Sequence, residues 1–356
     1  MLQQAAPSAA PALLGRALAI VGAVFLLPLL ALIAVGCGVL DDDPFITFSA
    51  GQAGARDIYV VRADGSGLQA AVFHPADDFA PVWSPDRTRI AYLSDREGNV
   101  EVYVTSSLTE PANPTSSMRV THTGVDESHV RWSPDGRRLL YVSPEGDGTP
   151  RVYWVDLANL RPNRLLFGPI GEQDPAWSPD GKWVAFSVLD EDGESMGIIL
   201  RNPDGVNSVQ VTHTADYAPA WSPDSKRLAF VSTRRGNQDV YVADVRDDGS
   251  ISQQVNLTPN PADDWGPVWD PGSGRLLFFS NRAGPANIMA VEADGSGLVP
   301  LTANDARQTA IAFGPDGMLV FASVFSGRSD IFLMDEDGAN QRLLNVLNLP
   351  GFHPDW

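Results

Sequence analysis

Beyond residue 40 the apolar residues fall into short runs closed by turn formers, with no helical stripe among them. One set of runs reads "FITFS" (45–49), "RIAYLS" (89–94), "RLLYVS" (138–143), "RLAFVS" (227–232) and "RLLFFS" (275–280). After a few turn residues a second set follows: "DIYVV" from Asp57, "VEVYVT" from Val100, "RVYWVD" from Arg151, "DVYVAD" from Asp239, "NIMAV" from Asn287 and "DIFLM" from Asp330. Turn formers such as "ADGSG" (63–67 and 293–297) then lead to a shorter apolar piece, as in "VQVTHT" or "LVPLT". Runs of this length, rich in β-branched and aromatic residues and bounded by Gly, Pro and Asp, predict strands, and the chain reads as all-β.

A fixed motif precedes most of the first runs. It appears as "VWSPDRTRIAYLS", "RWSPDGRRLLYVS", "AWSPDGKWVAFS" and "AWSPDSKRLAFVS", with weaker copies "VWDPGSGRLLFFS" and "AFGPDGMLVFAS". Its anchors are Trp83, Trp132, Trp177, Trp221, Trp269 and Phe313, and the chain closes on Trp356 in "HPDW". Successive anchors lie 49, 45, 44, 48, 44 and 43 residues apart, the size of one four-stranded propeller blade. Pro presets the second position of a type I turn, Asp suits the third, and Gly takes the left-handed fourth, so each motif is the turn of the first hairpin of a blade.

Counting fixes the ring. Second strands number seven when "FITFS" is included, and anchors number seven when Trp356 is included. The chain therefore opens with strands two to four of one blade and supplies that blade's first strand from "GFHPDW". This closure predicts a seven-bladed β-propeller, with six blades as the fallback if Phe313 is not a true anchor.

The repeat resembles the TolB-type Pro-Asp β-propeller repeat over residues 45–356, shared by TolB and by propeller domains of some prolyl-peptidase-like enzymes. The resemblance implies the fold strongly and function weakly, because one fold hosts many functions. Two departures are expected to matter: the separate domain that precedes the propeller in TolB is missing, and so is an α/β-hydrolase domain with a peptidase triad. A role in envelope protein assemblies is what the likeness to TolB implies.

Charge narrows the partners. Net charge is −19, and Arg16 is the one charged side chain among residues 1–40, so the remainder carries 24 basic against 44 acidic residues, or −20. Such a surface repels nucleic-acid phosphates and suits a basic protein or peptide. The single cysteine, Cys37, excludes an intrachain disulfide. A monomer is expected.

Residues 17–40, "ALAIVGAVFLLPLLALIAVGCGVL", hold no charge and are followed by "DDD". As a helix they would span about 36 Å, enough for a hydrocarbon core of roughly 30 Å. Two readings stay open: an uncleaved membrane anchor, or a lipoprotein signal in which "IAVGC" resembles a lipobox with Cys37 as the lipidated residue, although Ala34 stands where Leu is usual. Both place the propeller, 41–356, outside the cytoplasmic membrane.

Candidate chemistry is sparse. The chain has no His-Glu-x-x-His and no phosphate-cradling Gly-Lys-Ser/Thr loop. The connections before the anchors repeat carboxylates: Asp77 and Asp78, Asp126 and Glu127, Glu172 and Asp174, Asp216, Asp263 and Asp264. Lining one face, they would form a negative funnel for a cationic peptide or Ca²⁺. The competing reading pairs them, blade by blade, with Arg96, Arg234, Arg235, Arg282 and Arg328. His74, His122, His213 and His353 fall in comparable connections and suggest an alternative, a metal-assisted polysaccharide lyase or hydrolase. A third reading places a small ligand in the central channel. The polar insertion "SSLTEPANPTSS" (106–117) is a further partner-contact candidate.

Overall fold

In "SPDR", "SPDG" and "SPDS" the turn closes as its residues require. Arg87, Gly136, Gly181 and Ser225 donate their backbone N–H to the carbonyls of Ser84, Ser133, Ser178 and Ser222, at 2.8–2.9 Å. All four donors have positive φ, of 55°, 67°, 73° and 59°. Ser and Asp lock the corner from the side: Ser133 Oγ donates to Asp135 Oδ1 at 2.6 Å and accepts from Arg138 N at 2.9 Å. This local wiring specifies a hairpin before any tertiary contact forms.

The computed structural model describes residues 44–106, 116–165, 170–204, 207–272, 274–314, 317–344, 347 and 349–356. The apolar segment 17–40 with Cys37 lies outside the described residues, as does most of the 106–117 insertion. Among the described residues no helix is long and apolar enough to cross a membrane.

Twenty-eight strands, β1–β28 in chain order, form seven antiparallel sheets of four among the described residues. This is the seven-bladed count; the six-bladed fallback does not arise. Blade 1 has the order β28 (Gly351–Asp355), β1 (Phe45–Gln52), β2 (Ala55–Arg62), β3 (Gln69–Val72). Thr47 pairs with Asp355, Ser49 with Phe352 and Ala50 with Gly351, so both ends of the repeat region share one sheet. The first strands of blades 2–7 are β4 (Asp78–Trp83), β8 (Ser128–Trp132), β12 (Gly171–Trp177), β16 (Asp216–Trp221), β20 (Asp264–Trp269) and β24 (Arg307–Phe313). With β28 they are the inner strands, and residues of four of them, β4, β8, β24 and β28, line a common central cavity.

Second and third strands are buried on both faces, which is why they read as continuous apolar runs. The core divides into seven clusters, each shared by two neighbouring blades. One packs Ile46 and Phe48 of blade 1 against Val320, Ile331 and Trp356. The anchors also stitch blades by hydrogen bonds. Trp132, Trp221 and Trp269 donate Nε1–H to the carbonyls of Val82, Ala176 and Ala220, one blade back, at 3.1, 3.2 and 3.0 Å.

Candidate functional site

The inner strands carry a feature the repeat pattern did not reveal. In six of the seven, the residue three before the anchor is left-handed: Ala80, His129, Asp174, Ala218, Gly266 and His353, with φ from 49° to 62°. Strand pairing slips by a bulge at each of these points. Five of the six are followed by Pro, which is tolerated because a bulged strand facing the channel needs no donor there. The bulge resets which way the side chains point, separating the carboxylates near the start of each strand from the residues near its end.

The carboxylates five before the anchor, Asp78, Glu127, Glu172, Asp216 and Asp264, are all buried. Three are ion-paired inside their own blade: Arg96 with Asp78 at 2.8 Å, Arg234 with Asp216 at 2.7 Å and Arg282 with Asp264 at 2.9 Å. In each the Arg Nε also donates to the Ser ending the second strand, Ser94, Ser232 or Ser280. Burial pushes the Asp78 carboxyl above its usual range despite Arg96. Arg328 pairs instead with Asp330, two residues further along its own strand, at 2.9 Å.

Among the described residues, neither Glu127 nor Glu172 forms such an ion pair. Glu127 accepts from Thr121, Thr123 and Ser143, and burial together with the nearby Glu101 carboxylate raises its pKa. Burial raises Glu172 to about 7, although Val152 N donates to it at 3.0 Å. Asp77 is held by Arg56 through Nε at 2.8 Å and Nη2 at 2.5 Å; burial opposes ionisation, but these bonds keep its pKa below the usual value.

Three of the expected face residues keep access to solvent. Asp126 is exposed and accepts from Val100 N at 2.7 Å. Asp263 accepts from Asn281 Nδ2 at 3.1 Å and Gln238 N at 3.1 Å. Asp174 accepts from Ser187 Oγ at 3.2 Å and stands 3.8 Å from His129 Nε2.

The histidines are scattered. His353 lies within inner strand β28, whereas the sequence suggested a connection between blades; His129 holds the equivalent place in β8. His122 and His213 are exposed, and His74 Nδ1 accepts from Ala76 N. Among the described residues no three or more His, Cys, Asp or Glu converge closely enough to hold a metal ion, so the four candidate histidines are not assembled.

The channel itself is where the blades stop being alike. The residue before the anchor is small and apolar in five of them: Val82, Ala176, Ala220, Val268 and Ala312. In the other two it is Arg131 and Asp355. Both line a cavity of about 660 Å³ with His129, His353, Trp83 and Trp132. Sequence comparison of the repeats carried this signal in "VRW" and "PDW", set against "PVW" and "PAW". At the opposite end, four before the anchor, stand half-buried aromatics: Phe79, Tyr217, Trp265 and Phe352. Arg56 lies over Phe79, 4.5 Å from its centroid, and Tyr217 and Trp265 border a recess with Gln238, Asp263 and Asn281.

The fold and this inner-strand geometry define a class, the TolB-type β-propeller. The TolB beta propeller domain model matches residues 175–356, just over half the chain, and the chain belongs to that family. It is 31% identical over 117 residues to the uncharacterized peptidase YuxL of Bacillus subtilis, covering 33% of this chain and 18% of that protein. It is 40% identical over 62 residues to the Tol-Pal system protein TolB of Alcanivorax borkumensis, covering 17% and 14%. These matches span less than a fifth of each relative's length.

Among solved structures, a putative TolB from Agrobacterium tumefaciens is 27% identical with a TM-score of 0.54, covering 66% of this chain and 86% of that one. The β-propeller domain of the Trilobed protease from Pyrococcus furiosus has a TM-score of 0.64 at 14% identity, covering 86% and 94%, a likeness of fold alone. That propeller is described as having an open velcro topology, whereas here β28 zips onto β1.

Proposed function

We propose that the chain is a non-catalytic, extracytoplasmic propeller that binds a basic protein or peptide across the channel mouth where the blades connect. The aromatic collar of Phe79, Tyr217, Trp265 and Phe352 carries this reading. Rigid aromatic rings half-open to solvent are the anchors on which protein interfaces concentrate their binding energy. Asp126 and Asp263 add accessible negative charge, and an excess of about twenty acidic side chains steers a cationic partner. The N-terminal apolar segment supports an extracytoplasmic location with attachment to the membrane through an anchor or a lipid on Cys37. The likeness to TolB, named for the Tol-Pal system, supports a protein partner.

The test is capture of partners from the organism's own envelope extract by the full chain, compared with its Trp265→Ala/Tyr217→Ala variant. A specific, salt-sensitive band that the variant loses supports the reading. Equal capture by both proteins overturns it, as does turnover of a peptide or polysaccharide by the purified chain.

A further inference from the structure

The guanidinium of Arg131 is a cation placed inside the ring where five of the seven blades put a methyl or isopropyl group. The residue is exposed to the water of the channel, and the surrounding wall pulls its pKa below the ordinary arginine value by desolvation. Its hydrogen bond, from Nη1, goes to the carbonyl of its neighbour Val130 at 2.8 Å. Among the described residues no carboxylate pairs with it. The two that attract it at longer range are engaged elsewhere: Asp355 Oδ2 accepts from Trp83 N at 2.7 Å, and Asp174 accepts from Ser187 Oγ. Remaining donors of a planar fork are thus left facing a cavity of about 660 Å³, a size typical of small-ligand sites.

The rest of that cavity wall is part polar, with His129, His353 and Asp355, and part apolar. Ala80, Val82, Ala310, Ile311 and Pro354 contribute, and Trp83 and Trp132 stand at its border. A guanidinium beside this apolar part of the wall favours a ligand with one planar anion and a short apolar body.

We infer that the channel binds a carboxylate-bearing ligand, its carboxylate held by Arg131 and its apolar part against the alanine, valine and tryptophan wall. The same chemistry has two sources: a free small organic acid, or the C-terminal carboxylate of a peptide entering the channel. This site lies nearer the hairpin turns than the aromatic mouth and does not rest on partner capture there; Trp265→Ala leaves it intact.

The experiment follows the intrinsic fluorescence of the full chain in detergent as three probes are titrated: hexanoate, Ala-Gly-Ala with a free C-terminus, and the same tripeptide as its C-terminal amide. Each titration is repeated with Arg131→Ala and Arg131→Lys. Ala already occupies this place in three other blades, so Arg131→Ala is expected to keep the far-ultraviolet spectrum and melting temperature. Saturable binding of hexanoate or of the free-acid tripeptide is expected, weakened at least about tenfold in Arg131→Ala and less in Arg131→Lys, which keeps charge without the fork. Hexanoate alone saturating assigns a free acid, and the free-acid peptide alone assigns a chain terminus. The inference is overturned if the amide binds as well as the acid, if Arg131→Ala binds as tightly as the parent, or if no probe binds at millimolar concentration.

Discussion

Asp355 accepts the backbone N–H of Trp83 through Oδ2 at 2.7 Å, joining the last inner strand to blade 2 across 272 residues of sequence. The contact lies beside the seam where β28 pairs with β1, so the C-terminal strand is bonded on both sides. The closure of the ring rests on these few residues.

Removing residues 351–356 should therefore abolish the single cooperative unfolding transition. It exposes the β1 edge and takes Trp356 out of the cluster with Ile46 and Val320. Asp355→Ala is milder. It leaves the Trp83 N–H without its acceptor and should cost about 1–3 kcal/mol in urea unfolding, while Asp355→Asn, which keeps an acceptor, costs less. A truncated chain that melts as late and as sharply as the parent would contradict the closed ring.

Breaking one Arg–Asp pair should destabilise more than removing both partners. Asp216 is buried and Arg234 only partly exposed, so Arg234→Ala strands a carboxylate away from water. The expected loss lies toward the lower end of about 3–5 kcal/mol, because water can still approach from the guanidinium side. Arg234→Ala/Asp216→Ala should recover part of it in a double-mutant cycle. The same direction is expected for Arg282 and Asp264.

Glu172 makes stability fall as pH rises. Its folded pKa is raised to about 7 from a usual value of 4.5, so the fold favours the protonated acid. The contribution is fully present below pH 4.5, is lost progressively as pH climbs to about 7, and stays lost above it. Glu172→Gln should flatten that part of the melting-temperature profile and stabilise the protein at pH 8, by up to roughly 3 kcal/mol. A parallel profile for parent and variant would show that Glu172 ionises normally.

The stitching hydrogen bond of an anchor separates from its packing. Trp269→Phe removes the donor to Ala220 O but keeps an aromatic ring, and should cost about 1 kcal/mol or somewhat more. Trp269→Ala also empties a core position and should cost about 3–5 kcal/mol in the same measurement.

At the mouth, Asp126→Asn/Asp263→Asn should slow association with a basic peptide and flatten its dependence on salt, with little change in melting temperature. Stopped-flow kinetics at several ionic strengths reads this directly. Changing Asp78 or Asp264 instead would confuse binding with stability, since both carboxylates are buried in ion pairs.

Much of this molecule was written locally. Ser-Pro-Asp-Gly fixes a turn through bonds among neighbours, double-sided burial leaves unbroken apolar runs, and an anchor count of seven with a terminal Trp requires the ends to meet. The TolB-type likeness followed from those same residues. Which carboxylates reach solvent was not legible, because a left-handed bulge three residues before the anchor resets the two-residue alternation of each inner strand. Nor does the sequence bring Arg131 and Asp355 together. They stand more than two hundred residues apart, and only closing the ring places them in one cavity, because the distance between inner strands is set by blade packing and not by the chain between them.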